Sequence, residues 1–239
     1  MTAQREDAQV ADAAPERARD ADRTRAEILA VATHEFADVG YAGARVDEIA
    51  AKTSTTKRMI YYYFGSKERL YVAVLEAAYA RIRGLEQQLD VEHLDPVEAL
   101  RELAGLTFDH HEAHPDFIRL VSIENIHHGE HIATSEVLRQ MANPLLDLLE
   151  TLLERGRAGG LFRDDVDAVD VHQVISAFCV FRTANRYTFG TLFDRDLLDP
   201  ARRDHQRRLL GDLVVAWLCA PPGSAPPGGA PPDSAKPST

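Results

Sequence analysis

The sequence predicts an all-α protein: a three-helix unit with helix-turn-helix spacing, then a larger helical domain, between disordered tails. Three observations carry this. Apolar residues recur at intervals of three and four rather than two, β-branched residues are scattered, and Gly or Pro signals stand where helices of ordinary length would stop and restart. Residues 220–239 hold seven of the twelve prolines and no Leu, Ile, Val or aromatic residue, so they lack the apolar surface to offset ordering entropy and read as a disordered tail.

A charged, alanine-rich arm over 1–21 is expected to be disordered as well. The first clear helix opens at Thr24, where T-x-x-E spacing to Glu27 suggests a capping box. Ile28, Leu29, Ala32 and Phe36 form its apolar stripe, and Gly40 suits a left-handed C-cap. A short helix follows from Arg45 to Ala51, then a polar turn, Thr53 to Thr56. Thr56 is placed to cap a third helix, Lys57 to Phe64, and Gly65-Ser66 ends it before a longer helix from Lys67. Two short helices separated by a tight turn make a helix-turn-helix candidate within 22–69.

From 70 to 219 the helices lengthen. Asp95-Pro96, His114-Pro115 and Asn143-Pro144 each mark a start, with Pro at a first-turn position where its missing N–H costs nothing. The leucine-rich stretch after Pro144 stops at Gly159-Gly160, and two more helices are expected, from about Asp167 to Tyr187 and from Asp199-Pro200 to Leu218.

The net charge of −11 argues against a protein that holds nucleic acid by bulk electrostatics. Its distribution leaves room for a local reader. Residues 15–69 carry ten Lys or Arg against nine Asp or Glu, and the acidic excess lies beyond them. Cys179 and Cys219 have no zinc-type or C-x-x-C spacing, so neither a disulfide framework nor a structural metal is indicated. With no stretch apolar enough to span a bilayer and no secretory leader pattern, a cytoplasmic protein without membrane attachment is expected.

The third predicted helix carries the most specific chemistry. On a 3.6-residue period Ile60 and Phe64 fall inward, and Lys57, Arg58, Tyr61 and Tyr62 face solvent. Tyrosine offers a ring to sugar or thymine methyl and a hydroxyl to phosphate, while Arg58 can read guanine bidentately in a major groove. The alternative is that the tyrosines pack and the cations form a solvated face.

At these residues the sequence resembles the TetR family of bacterial transcriptional regulators. The family signature, I-A, then A-G-V-S, a short variable patch and L-Y-x-Y-F-x-S-K-E-x-L, is matched by Ile49-Ala50 and by Ile60-Tyr61-Tyr62-Tyr63-Phe64-Gly65-Ser66-Lys67-Glu68-Arg69-Leu70. The turn departs from it, with Thr53-Ser54-Thr55-Thr56 in place of A-G-V-S. The resemblance implies DNA contacts from Lys57, Arg58, Met59, Tyr61, Tyr62 and Lys67, with Tyr63 either contacting DNA or packing; the helix start at Thr56 offers backbone N–H groups to phosphate, and Arg45, where the family often has Ser or Thr, could contact phosphate instead. It also implies double-stranded DNA with a near-palindromic operator as partner, a small-molecule effector, and a homodimer formed through the last two long helices.

The final helix carries Leu209, Leu210, Leu213, Val214 and Trp217 at helical spacing, which suits either a dimer interface or an internal core. Glu124 to Gly129 and Asn185 to Phe189 are similar to one TetR C-terminal domain type. Polar groups set in apolar helices nominate an effector pocket of Phe117, Ser122, Asn125, His172, Ser176, Cys179, Arg182 and Arg186, with either arginine suited to a carboxylate. Each could equally be a satisfied structural group. His110 and His114, and His127, His128 and His131 after Glu124, raise the possibility of a metal, but solvated histidines explain them as well, and no metal or other cofactor is assigned. No phosphate loop, G-x-S-x-G or H-E-x-x-H motif is present, so no catalytic residue is expected. The sequence therefore reads as a ligand-responsive DNA-binding repressor. The alternatives are an activator of the same fold and a helical metal- or ligand-binding protein without DNA function.

Overall fold

A computed structural model describes residues 3–90 and 93–221, with side chains from residue 19 onward. The expected tail falls almost wholly outside these residues. The first helix, α1, spans Ala3–Gly43, so the arm expected to be disordered has a helical backbone from Ala3. Alanines at 3, 8, 11, 13, 14, 18 and 21 favour the helix at the level of propensity. Thr24 is consequently an interior residue and not a cap: its Oγ1 donates to the Asp20 carbonyl at 2.8 Å. At Gly40 the backbone turns out of the helix, with φ 72° and ψ 172°. That conformation suits a residue without Cβ.

Two short helices follow, α2 (Val46–Ala51) and α3 (Lys57–Phe64). Thr56 Oγ1 accepts from the Met59 N–H at 3.3 Å, and Gly65 closes α3 at φ 80°. Ser66 caps α4 (Lys67–Glu86) in the same way, accepting from the Arg69 N–H at 3.1 Å. The remaining helices are α5 (Pro96–Ala113), α6 (Pro115–Ile126), the short α7 (Glu136–Gln140), α8 (Asn143–Ala158), α9 (Ala168–Ala184), α10 (Arg186–Phe193) and α11 (Arg203–Cys219). Asp95 caps α5, and Asp167 forms a reciprocal capping box with Asp170 at α9. The helix expected to reach Tyr187 is broken at Asn185 and resumes as α10, which ends at the left-handed Asp194.

Two apolar cores result. The first joins Ile28, Phe36, Ile49, Ile60, Phe64, Leu70, Tyr71 and Leu75 and reaches Leu120 of α6 and Leu138 of α7. A boundary between residues 69 and 70 thus lies inside α4, whose first half belongs to the helix-turn-helix core. The second core joins α5, α8, α9 and α11 through Leu100, Phe108, Leu149, Leu152, Val171, Ile175, Val214 and Leu218. The stripe expected on α11 is divided. Leu210 and Val214 are buried in this core, while Leu209 and Leu213 are exposed alongside Val169, Val174 and Phe181 of α9.

Candidate nucleic-acid interface and effector cavity

The burial of Ile60 and Phe64 fixes which face of α3 meets solvent. Tyr62 is 77% exposed and Tyr61 39%, and Lys57 and Arg58 are exposed beside them. Arg58 has no ion pair among the described residues. Lys57 Nζ contacts the Asp47 carboxylate at 2.9 Å, which ties α3 to α2 and raises the affinity of the amine for its proton, chiefly through that hydrogen bond. Met59 and Tyr63 are half-buried, with the Tyr63 ring edge-on to Tyr62 at 5.5 Å. Arg45 is exposed immediately before α2. Lys67 turns inward: its Nζ reaches the Ala42 carbonyl at 3.5 Å and lies 4.8 Å from the Tyr41 ring centroid, and burial lowers its pKa.

The turn between α2 and α3 has a brace that local sequence reading assigned elsewhere. Glu27 does not complete a capping box; its two carboxylate oxygens accept from the Ser54 N–H at 2.7 Å and the Ser54 hydroxyl at 2.6 Å. These bonds hold the Glu27 carboxyl below its ordinary pKa, the hydroxyl bond contributing most. Ser54 stands where the family signature has glycine, and its hydroxyl joins the turn to α1.

Most of the eight residues nominated for an effector pocket are engaged with partners inside the helical domain. Ser122 Oγ and Asn125 Nδ2 donate to carbonyls of their own helix, Ile118 and Val121, both at 2.8 Å. His172 lies 3.4 Å from Ser176 Oγ, and burial lowers its pKa. Cys179 is buried in the second core with its thiol pushed up to about 12 by desolvation. Arg182 is fully engaged. It donates to Glu112 at 3.0 Å, the Leu197 carbonyl at 3.1 Å and Gln206 Oε1 at 2.5 Å, and it lies over the Phe108 ring. Arg186 pairs with Asp196 at 3.3 Å. Both arginines are thus already neutralised by acids close in space, which periodicity could not show.

Phe117 alone of the eight lines a cavity of about 640 Å³ between α1, α4 and the α5–α6 corner. Its walls also include Leu29, Arg81, His110, His114 and Asp116, none of them nominated as effector ligands. The spacing of His110 and His114 was the available signal, read as a possible metal pair. In the structure the two rings stack at 4.5 Å. Of the other histidines, His131 is buried with Nδ1 3.0 Å from Glu124, and His127 and His128 are exposed. Among the described residues no group of three or more His, Cys, Asp or Glu is placed to hold a metal ion, and no helix is long and apolar enough to cross a membrane.

Comparison with known proteins agrees with this architecture. Residues 28–74 match the family described as bacterial regulatory proteins, tetR family, and residues 96–214 match the tetracyclin repressor-like C-terminal domain. The chain is 37% identical over 202 residues to the HTH-type transcriptional repressor NicS of Pseudomonas putida, covering 84% of this chain and 95% of that one. It is 36% identical over 125 residues to the HTH-type transcriptional repressor SCO4008 of Streptomyces coelicolor, covering 52% and 60%. Among solved structures, the putative transcriptional regulator SCO4942 of Streptomyces coelicolor superposes with a TM-score of 0.59 at 31% identity, covering 80% of this chain and 97% of that one. With both of its halves matched, the chain belongs to the TetR family of bacterial transcriptional regulators.

Proposed function

We propose that the chain is a transcriptional repressor that holds a near-palindromic operator as a homodimer and leaves it when a small molecule binds the helical domain. The observation that carries this reading is the solvent face of α3, where Lys57, Arg58, Tyr61 and Tyr62 stand together over a buried Ile60–Phe64 seam. In a major groove, Arg58 would address a base edge, and Tyr61 and Tyr62 would take sugar–phosphate or thymine methyl contacts. Thr56 and Arg45 would meet phosphates at the starts of α3 and α2, with Met59, Tyr63 and Lys67 supporting the helix's seat. The likeness to two relatives named repressors favours repression over activation.

The exposed apolar side chains of α9 and α11, Val169, Val174, Phe181, Leu209 and Leu213, support a dimer through these helices. A dimer sets two copies of α3 at a fixed separation. A ligand that binds better to a conformation with a different separation releases the DNA, because it shifts the population toward that state.

The test is gel-shift titration against an operator selected from a random DNA pool. One bidentate arginine–guanine contact contributes about 1–3 kcal/mol of discrimination and the dimer makes one in each half-site, so Arg58→Ala is expected to lose roughly thirtyfold or more in affinity and relax preference at one base pair in each half-site. Tyr61→Phe should lose less. Unchanged affinity and sequence preference in the Arg58→Ala, Tyr61→Phe double variant would overturn the assignment.

A further inference from the structure

The cavity between α1, α4 and the α5–α6 corner contains a buried polar group with no partner. His110 is 3% exposed and lines the cavity, and among the described residues neither its Nδ1 nor its Nε2 has a hydrogen-bond partner. Its ring is fixed by neighbours: it stacks on His114 and meets the edge of Phe117 at 5.4 Å. Desolvation, helped by the neighbouring His114, holds its pKa down at about 3, so it is a neutral imidazole with one donor and one acceptor. Leaving such a group unsatisfied is costly, and a ligand that hydrogen-bonds to it recovers that cost.

The remaining walls define the rest of the chemistry. Ala26, Ala30, Ala77, Ala78 and Ala113 put little side-chain volume into the space between the helices, and Leu29 and Phe117 add apolar surface. Arg81, exposed and without an ion pair among the described residues, supplies a free cation. The one carboxylate in the wall, Asp116, already lies 2.5 Å from His34 Nδ1.

We propose that this cavity binds a small organic carboxylate with an apolar body, the carboxylate at Arg81, the body between the alanines and Phe117, and a polar edge on His110. The ligand's negative charge follows from Arg81, its apolar body from the alanine walls, and a hydrogen-bonding edge from the unpartnered imidazole. Residues 26, 29, 30, 33 and 34 give the cavity one face of α1, the helix whose Glu27 braces the helix-turn-helix turn. Occupancy therefore bears on the seat of α3. That consequence rests on the repressor reading; binding itself does not.

The experiment is calorimetric titration of the full chain at pH 7.5 with benzoate and hexanoate, representing aromatic and aliphatic sources of the same carboxylate chemistry, and with benzylamine as the cationic control. Saturable binding of at least one carboxylate and none of benzylamine is expected. Arg81→Gln, a surface change that leaves the fold intact, is expected to weaken binding about tenfold or more through loss of a charged hydrogen bond. Ala113→Leu, which fills the cavity, and His110→Phe are expected to weaken it at least as much. If His110→Phe does not fold, the other two variants decide.

The proposal is overturned if neither carboxylate saturates, if benzylamine binds as well, or if Arg81→Gln binds like the parent protein. A parallel gel shift separates this result from the repressor reading. Retention of specific DNA binding without carboxylate binding sinks the cavity assignment alone, and failure to select any DNA sequence sinks the repressor reading whatever the titration gives.

Discussion

Arg182 is the sharpest test of what the helical domain's polar groups are for. Its residue is 4% exposed, and its guanidinium joins α5, α9, the segment before α11 and α11 itself through Glu112, Leu197 and Gln206. In Arg182→Met the alkyl stem's packing is largely kept and the charge is removed. The Leu197 carbonyl loses the partner described for it, at about 1–3 kcal/mol for a buried acceptor, and the stacking over Phe108 loses about another 1 kcal/mol. Glu112 is not stranded, because Arg203 Nε donates to its other oxygen at 2.8 Å, so the cost stays below the 3–5 kcal/mol or so of a buried pair broken on one side. Gln206 can turn to water.

The net expectation for Arg182→Met is a loss of about 3 kcal/mol. With a urea m-value of about 2–3 kcal/mol/M, the midpoint should fall by about 1–1.5 M, followed by circular dichroism at one fixed protein concentration because a dimer's stability depends on it. Adding Glu112→Gln should cost less than the two single changes together, since the variants share a contact. A midpoint unchanged within about 0.2 M, or wild-type stability with loss of effector response, would refute the structural role and restore Arg182 as a ligand anchor.

Two further outcomes follow from the buried titratable groups. Burial holds His110 at about 3 and His111 at about 4, against an ordinary value of 6.5. The unfolded chain therefore binds more protons below pH 6.5, and stability is lost as the pH falls from there toward 4, by at most about 1.4 kcal/mol per pH unit for each histidine. Urea midpoints measured between pH 7 and 5 should show this fall, and it should shrink in His110→Gln; a fall of the same size in that variant would rule His110 out as its source. Cys179 is buried with its thiol pushed up to about 12, whereas Cys219 is exposed. Ellman's reagent at pH 8 should titrate one thiol in the native chain and the second only in denaturant. Two fast-reacting native thiols would contradict the burial of α9's inner face.

The boundaries of α3 were readable because each is set by a neighbouring residue: Thr56 caps one end and Gly65 turns the other. The inward placement of Ile60 and Phe64 followed from period alone. Glu27 was misread because its partner, Ser54, lies far along the chain, and a T-x-x-E pattern is indifferent to what folds against it. The effector pocket was the least legible part. Polarity within an apolar helix marks Arg182 and Ser122 as unusual, but whether a group is free depends on acids and carbonyls brought up by other helices. Arg182 is occupied by Glu112, while both ring nitrogens of His110, one of the histidines whose spacing suggests a metal pair, lack a hydrogen-bond partner among the described residues.

The alanine walls of the cavity have an evolutionary consequence. The empty space is defined by small side chains, so exchanging Ala30, Ala78 or Ala113 for valine or leucine fills the hollow by two or three carbons at a time. If the cavity takes the proposed carboxylate, such single substitutions change which ligand shapes fit it without touching α3. For the same reason the cavity is a practical handle for engineering: a library confined to these alanine positions would sample new ligand shapes against an unchanged DNA specificity.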